Sequence, residues 1–119
     1  MSIDKKNILA ELQGLQLSSV EFVQDYFQLR FDGPVMTIYN PTTIELGNIK
    51  VKSWADQFRN VICGQITKVV KKVDLLEKDS LVIEFEDKSR IIISLKEEDY
   101  QYPEAINYHG LSSNYLVVF

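Results

Sequence analysis

The chain has 119 residues, of which 45% are hydrophobic and 25% are charged, and its net charge is −4. These values are typical of one globular domain with its own core, so we expect a single domain over residues 1–119. Cys63 is the single cysteine, which excludes an internal disulfide, and no apolar run approaches the ~20 residues of a membrane span. Because residues 1–6 contain no apolar h-region, we expect no secretory signal. We expect a cytoplasmic protein.

The charge pattern argues against nucleic acid as a partner. Phosphate binding needs a concentrated positive face, and the largest basic cluster is Lys71-Lys72. The mild negative charge is compatible with a basic protein partner, although it does not specify one. We expect a protein partner, and neither nucleic acid nor a membrane.

A short helix and a strand are predicted at the start of the chain. Ile8, Leu9 and Leu12 fall on one helical face, and Gly14 follows at a C-cap position. The alternation of apolar and polar residues over 15–23 then predicts a strand.

The first hairpin is predicted around Asp32-Gly33, between two alternating apolar runs. A two-residue loop pairs Leu29 with Met36 and leaves both apolar sets on one face. Pro34 has no N–H to close so tight a turn. A four-residue loop over 32–35 preserves the same faces, so both loops stay open.

The segment after the first hairpin has a weaker pattern. Asn40-Pro41 ends the preceding strand. Residues 42–52 are ambiguous, and one interpretation is a short strand with a turn at Gly47-Asn48.

An amphipathic helix of about three turns is predicted next. Ser53-Trp54-Ala55-Asp56 resembles a capping box, with Asp in place of the usual Glu, and Gly64 ends the run. The apolar residues recur at helical spacing and are expected in the core: Trp54, Phe58, Val61 and Ile62.

The strongest pattern is a hairpin over residues 81–95, which follows a strand predicted over 66–76. A three-residue loop, Asp87-Lys88-Ser89, places Phe85 opposite Ile91 and keeps the apolar sets on one face, whereas a two-residue loop would turn one strand over. The apolar residues occupy odd positions in both strands: Leu81, Ile83, Phe85, Ile91, Ile93 and Leu95.

The last part of the chain is more polar. Pro103 is placed to open one or two helical turns that Gly110 ends. A turn over 111–114 and a final strand over 115–119 are predicted to follow.

These patterns predict an α+β domain. We expect a mostly antiparallel sheet of two hairpin regions, with one amphipathic helix packed on a face and a short N-terminal helix. Leu29-Arg30-Phe31-Asp32 also resembles Ile83-Glu84-Phe85-Glu86. That similarity suggests either an internal duplication or the general likeness of hairpins.

No catalytic or metal-binding motif is present. His109 is the only histidine, and no HExxH, CxxC, GxSxG or glycine-rich phosphate loop occurs. Cys63 lies at the end of the predicted helix, far from the helix N-terminus that would activate its thiol. We therefore expect no catalytic residue, no metal site and no cofactor.

The candidate partner-binding segment extends from residue 97 to residue 109. Tyrosines in an acidic loop offer a large contact area at little entropic cost, and binding residues collect on such loops. The alternative interpretation is a lid over one end of the sheet. The candidate residues are Glu97, Glu98, Asp99, Tyr100, Tyr102, Glu104, Tyr108 and His109.

Three stretches together resemble a set of small, uncharacterised bacterial proteins that includes immunity proteins of toxin–immunity systems. They are Asp25-Tyr26 through Leu29-Arg30-Phe31-Asp32-Gly33, Asp56-Gln57-Phe58-Arg59 through Cys63-Gly64, and Ile93-Ser94-Leu95 through Glu98-Asp99-Tyr100 with Pro103-Glu104-Ala105. Gln101-Tyr102 stands where the family pattern implies a glycine before the proline, so no family site is transferred to this loop.

Three hypotheses of function follow. The first, which the resemblance implies, is a non-catalytic protein-binding domain that neutralises a basic toxin domain. The second is a small-molecule-binding or enzymatic domain that uses His109 with Glu97, Glu98 or Asp99. The third is a structural subunit that self-associates through an open sheet edge.

Overall fold

The computed structural model describes residues 5–111 and 116–119. The predicted start of the first helix at Asp4 and most of the turn before the last strand lie outside the described residues. None of the described helices is long and apolar enough to cross a membrane. In chain order the described elements are α1 (Lys5–Leu9), a 3₁₀ turn (Ala10–Leu12), β1 (Leu17–Val23), β2 (Tyr26–Phe31), β3 (Val35–Ile38), β4 (Thr42–Leu46), β5 (Ile49–Lys52), α2 (Phe58–Cys63), β6 (Val70–Leu76), β7 (Ser80–Phe85), β8 (Arg90–Ser94), a 3₁₀ turn (Glu97–Asp99), β9 (Ile106–His109) and β10 (Leu116–Val118).

The strands form two five-stranded antiparallel sheets. Their orders are β1-β2-β3-β9-β10 and β5-β4-β8-β7-β6. The inner faces of both sheets contribute to a single hydrophobic core. The α+β class and the antiparallel pairing are confirmed, and the one expected sheet is in fact two.

The two halves of the chain share one topology. Each half consists of a short helix, three consecutive antiparallel strands and a two-stranded hairpin. The hairpin of each half pairs with the three strands of the other, because β4 lies beside β8 and β9 lies beside β3. The paired central rows are equivalent: Leu29, Met36 and Tyr108 in one sheet, and Ile83, Ile91 and Ile44 in the other. The two similar sequence stretches, which begin at Leu29 and Ile83, therefore occupy equivalent positions in β2 and β7.

The equivalence extends to the junction where β1 and β6 begin. Gly14 and Thr67 hold corresponding positions there and both take positive φ, 88° and 83°. The Gly14 N–H donates to the Val70 carbonyl at 2.8 Å, and the Thr67 N–H donates to the Leu17 carbonyl at 2.7 Å. This backbone conformation is unusual for a non-glycine residue, so its occurrence at Thr67 shows how closely the second half repeats the first.

The first hairpin uses the two-residue loop. Leu29 pairs with Met36 as predicted. The Phe31 N–H donates to the Pro34 carbonyl at 2.9 Å, so the missing N–H of Pro34 is not needed, and Gly33 takes a φ of 113°. Residues 42–52 form a second hairpin, β4 and β5, with the turn at Gly47-Asn48 that the sequence suggested.

The central hairpin has the predicted faces but a different register. Ile83, Phe85, Ile91 and Ile93 are all buried. The pairs are shifted by two residues, so that Ile83 rather than Phe85 lies opposite Ile91. The three-residue loop begins at Glu86, and its third residue, Lys88, takes the positive φ of 75°. A shift of two residues keeps every side chain on its face, so alternation alone cannot detect it.

The second helix is shorter than predicted, and the prediction for Trp54 was wrong. Helix α2 begins at Phe58, and Phe58 and Ile62 are buried as expected. The Ser53 hydroxyl accepts the Thr42 N–H at 3.1 Å and therefore joins this segment to β4 instead of capping a helix. The Trp54 side chain is 72% exposed.

The segment between Pro103 and Gly110 was also predicted wrongly. It forms β9 instead of helical turns. Ile106 and Tyr108 alternate with polar residues and enter the core, where they pair with Ile38 and Met36. Pairing with β3 of the other half outweighs the local helical signal.

A polar network joins the β7–β8 turn to the segment after α2. The Lys68 ammonium lies 2.8 Å from the Asp87 carboxylate and donates to Gln65 Oε1 at 2.7 Å, and the Ser89 hydroxyl donates to the Asp87 carboxylate at 2.5 Å. Gln65 and Ser89 are buried. Hydrogen bonds from Lys68 and Ser89 lower the pKa of Asp87 from 3.8 to about 2. The equivalent places in the first half are apolar: Leu12, Leu15 and Pro34.

The lowered pKa makes a prediction about stability and pH. Because Asp87 has a lower pKa when folded than when unfolded, its contribution is complete above pH ~4 and is lost as the pH falls toward 2. We expect Asp87→Asn to reduce the free energy of unfolding at pH 6 by about 1 kcal/mol or less, since the side chain is 50% exposed. Denaturant unfolding should show this deficit disappearing between pH 4 and pH 2. Asp74→Asn, which removes a longer 3.7 Å contact with Lys72, is the control. A deficit that is constant with pH would contradict the assignment.

Candidate functional site

The outer face of the β5-β4-β8-β7-β6 sheet carries charges that neutralise one another. The Arg90 guanidinium lies 2.8 Å from the Glu45 carboxylate, and the Lys50 ammonium lies 3.9 Å from it. Opposite charges in paired positions stabilise a sheet and satisfy each other. One row across all five strands alternates in sign: Lys50, Glu45, Arg90, Glu84 and Lys72.

The equivalent outer face of the other sheet is different in character. Its central strands carry amides and a hydroxyl beside the Arg30–Glu21 ion pair, and the Gln28 amide donates to the Thr37 hydroxyl at 3.0 Å. Such groups leave donors and acceptors available for another molecule. The row equivalent to the charged one is Ser19, Arg30, Val35, His109 and Leu116, and the row two residues along the strands is Glu21, Gln28, Thr37, Asn107 and Val118.

Three tyrosine rings contact one another in a row at one end of this face, tilted by 51° and 54°, and we call them the tyrosine ladder: Tyr26, Tyr39 and Tyr102. Ring centroids are 5.4 Å apart for Tyr26 and Tyr39, and 5.6 Å apart for Tyr39 and Tyr102. Tyr26 opens β2 and Tyr39 follows β3, so both point away from the core that their neighbours enter. The Tyr39 N–H donates to the Ala105 carbonyl at 2.9 Å, which holds the Tyr102 segment against the end of β3. Tyr102 remains 42% exposed.

Two residues that interact with Tyr39, Glu104 and Asn107, each carry a buried oxygen atom without a donor. Among the described residues, three side-chain oxygens are buried without a hydrogen bond: Asn40 Oδ1, Glu104 Oε2 and Asn107 Oδ1. The Asn107 amide donates to the Tyr39 hydroxyl at 3.4 Å, and the Asn40 amide donates to the Ser94 carbonyl at 2.9 Å. Burial and then the negative charge of Glu104 raise the pKa of Tyr39 above 10.0. Every unsatisfied atom here is an acceptor.

An open groove of about 530 Å³ adjoins the tyrosine ladder, and we call it the aromatic groove. It lies between the β1–β2 turn, the end of β3 and the segment before α2. The exposed Trp54 ring stands at this groove, and Asp25 and Asp56 contribute carboxylates to it. Tyr26 and Tyr39 belong to its lining, so the groove and the ladder form one continuous surface.

Two aromatic rings of the groove already contact cations from the chain itself. The Arg59 guanidinium lies 4.9 Å from the centre of the Phe22 ring, and the Lys52 ammonium lies 5.6 Å from the centre of the Trp54 ring. Both distances are within the range of cation–π attraction. The chain's own cations therefore already occupy a face of each of these two rings.

The structure divides the predicted partner-binding segment into two parts. Glu97 and Glu98 are exposed on a 3₁₀ turn, and the Asp99 carboxylate accepts the Ser94 hydroxyl. Tyr100 is half-buried and lines a separate hollow with Lys78 and Leu95. Asp99 lines a second hollow together with Trp54, whereas Tyr100 lies apart from the tyrosine ladder.

The second part of the segment adjoins the ladder. Tyr102 is a member of the ladder, and the negative charge of Glu104 contributes to the raised pKa of Tyr39. Tyr108 is fully buried and donates its hydroxyl to Glu11 Oε1 at 2.9 Å, so it has a structural place and is not available to a partner. His109 is exposed on the outer side of β9 and is not among the residues that line the groove.

Sequence reasoning missed three residues of this surface. Tyr26 and Tyr39 have the opposite parity to the buried Phe27 and Ile38 beside them, and that signal could have placed them on the outer face. Trp54 gave no such signal, because its spacing fits a buried helical face.

Comparison of the chain with protein-family models, with curated proteins and with solved structures finds no match. Among residues 5–111 and 116–119, no group of His, Cys, Asp and Glu side chains is arranged to hold a metal ion. The function is therefore inferred from the chemistry of the surface.

Proposed function

We propose that this protein is a non-catalytic binding domain that captures a protein partner through the aromatic groove and the tyrosine ladder. The observation that carries the proposal is the exposure of Trp54, at 72%, beside a groove lined by further aromatic residues. Burying so large an apolar ring would stabilise a complex. Tryptophan and tyrosine are the side chains that most often anchor protein interfaces.

The charge of the surface favours a basic partner. Asp25 and Asp56 line the groove with one cation, Arg59, and exposed Glu97 and Glu98 lie on the turn whose Asp99 shares a second hollow with Trp54. The whole chain has a net charge of −4. Complementary charge accelerates association and selects against acidic partners. The resemblance to bacterial immunity proteins supports the more specific proposal that the partner is a basic toxin domain.

Site-specific photo-crosslinking tests the proposed surface. A photoreactive phenylalanine analogue replaces Tyr102 in one variant and Lys72 in the other, so that the two probes lie on the outer faces of different sheets. In the host cell, the probe at Tyr102 should crosslink one partner in at least tenfold excess over the probe at Lys72, as expected for contact through a defined patch. Mass spectrometry identifies the partner. Equal crosslinking from both positions, or preferential crosslinking from Lys72, would contradict the proposed surface.

A further inference from the structure

The second hollow lies beside the aromatic groove, and we call it the polar hollow. Its volume is about 260 Å³, and it lies at one end of the outer face of the β5-β4-β8-β7-β6 sheet. Trp54 lines both hollows and stands between them. The Trp54 ring is 72% exposed, and three charged side chains of the polar hollow are exposed as well: Lys52, Asp79 and Lys96. A small molecule can therefore enter the polar hollow from solvent.

The charges of the polar hollow are balanced but are not paired with one another. Its lining includes two ammonium groups and two carboxylates, those of Lys52, Lys96, Asp79 and Asp99. Among the residues that the structure describes, neither of these lysines forms an ion pair. The charged row on the same sheet face differs, because there Arg90 contacts a carboxylate at 2.8 Å. A balanced site does not select a ligand with a net charge, and its unpaired groups remain available to a neutral one.

Hydroxyl groups complete the polar lining and hold its carboxylates in place. The Ser80 hydroxyl donates to Asp79 Oδ2 at 3.0 Å, and the Ser94 hydroxyl donates to Asp99 Oδ2. The Thr43 hydroxyl belongs to the same lining. Within the described part of the chain, the Oδ1 atom of each carboxylate receives no donor. Each carboxylate is therefore fixed by the chain and can still accept a hydrogen bond from a ligand.

The lining matches a molecule that carries several hydroxyl groups on an apolar ring. One hydroxyl can donate to a carboxylate and accept from an ammonium group at the same time. A tryptophan ring offers a flat apolar surface for the C–H face of a sugar. The Lys52 ammonium, 5.6 Å from the centre of the Trp54 ring, covers one face, and the 72% exposure of the side chain leaves the other face free. Ligand sites commonly combine an aromatic surface with a few placed polar groups.

We propose that the polar hollow binds a neutral carbohydrate, with one sugar ring stacked on Trp54. The sugar hydroxyl groups donate to Asp79 and Asp99 and accept from the Lys96 ammonium. This inference goes beyond the proposed function and does not depend on it, because the ligand is a sugar and the hollow is built on the other sheet.

A glycan array followed by titration tests the site with the full chain. On an array of defined oligosaccharides, we expect binding to a group of neutral glycans that share one terminal sugar. In ¹H–¹⁵N spectra, the best of these glycans should shift the resonances of the Trp54 indole, Thr43 and Lys96 in a saturable way. Glycine is the contrasting probe, because its ammonium and carboxylate groups match the balanced charges but it has neither a ring nor hydroxyl groups. We expect glycine to cause no saturable shift.

Three variants assign the binding to the polar hollow. Trp54→Ala should weaken binding of the glycan by about tenfold or more, because the stacking surface is lost. Lys96→Met keeps an unbranched apolar side chain and removes the donor, and we expect it to weaken binding several-fold. Lys72→Met makes the same change on the same sheet face outside the hollow, and it should retain binding within about twofold. Thermal unfolding of the three variants verifies that each is folded.

Several outcomes would overturn the inference. They are the absence of any bound glycan on the array, equal binding of glycine and the best glycan, unchanged binding by a folded Trp54→Ala variant, or equal losses in Lys96→Met and Lys72→Met. Failure of this inference is distinguishable from failure of the proposed function. A protein that crosslinks a partner at Tyr102 but binds no glycan would retain the partner surface and lose only the sugar site.

Discussion

Replacement of Phe58 by alanine should lower the free energy of unfolding by ~3–5 kcal/mol, as expected when a large aromatic side chain is removed from a core. Phe58 is only 3% exposed, and its ring meets Phe27 edge-to-face with centroids 5.7 Å apart. Helix α2 has six residues and buries two of them, Phe58 and Ile62. So short a helix has little stability of its own, so its position depends on these two anchors.

Denaturant unfolding of matched variants provides the measurement. Gln57→Ala changes an exposed neighbour and should shift stability by under ~0.5 kcal/mol. Trp54→Ala should also have a small effect, because the ring is 72% exposed. Equal destabilisation by Phe58→Ala and Trp54→Ala would instead place both rings in the core.

Local alternation predicted the strands well because it reports which side of a strand meets the core. The pairing of Leu29 with Met36 and the burial of Ile83 and Phe85 both follow from period-two patterns. The division into two sheets could not be predicted in this way. It depends on the contacts of β4 with β8 and of β9 with β3, which join distant parts of the chain and leave no local trace.

Residues near the element ends account for the remaining differences. Trp54 fits the apolar spacing of the helix that follows it, but the Ser53 side chain bonds to β4 and holds this segment outside the helix. Tyr108 is of a residue type that is common at interfaces, but its position in the alternation of β9 places its side chain in the core. The local composition indicates Tyr102 and Glu104 as partner-binding residues but not their neighbours in the fold. The hydrogen bond between the Tyr39 N–H and the Ala105 carbonyl holds both residues beside Tyr39.

Loss of the Trp54 ring should have the largest effect on partner binding. If the partner docks on the aromatic groove, Trp54→Ala should weaken the complex by about 30-fold or more, the loss typical of an interface hot spot. Most of this change should appear in the dissociation rate, because mutations within an interface act mainly on dissociation. Tyr102→Ala should act in the same direction. Ile49→Ala is a matched control, since Ile49 is also apolar and exposed, at 61%, but lies on β5 of the other sheet.

The acidic turn should affect a different rate. Reversal of Glu97 and Glu98 to lysine leaves the aromatic anchors unchanged and alters only exposed charge. We expect slower association with a basic partner and little change in dissociation, because exposed charges steer the encounter. The effect should diminish as salt is added, since exposed charges are screened over ~8 Å at physiological ionic strength. Binding kinetics at two salt concentrations separate the two contributions. If Trp54→Ala and Tyr102→Ala leave the dissociation rate unchanged while Ile49→Ala raises it, the partner docks on the opposite sheet and the aromatic groove is not the interface.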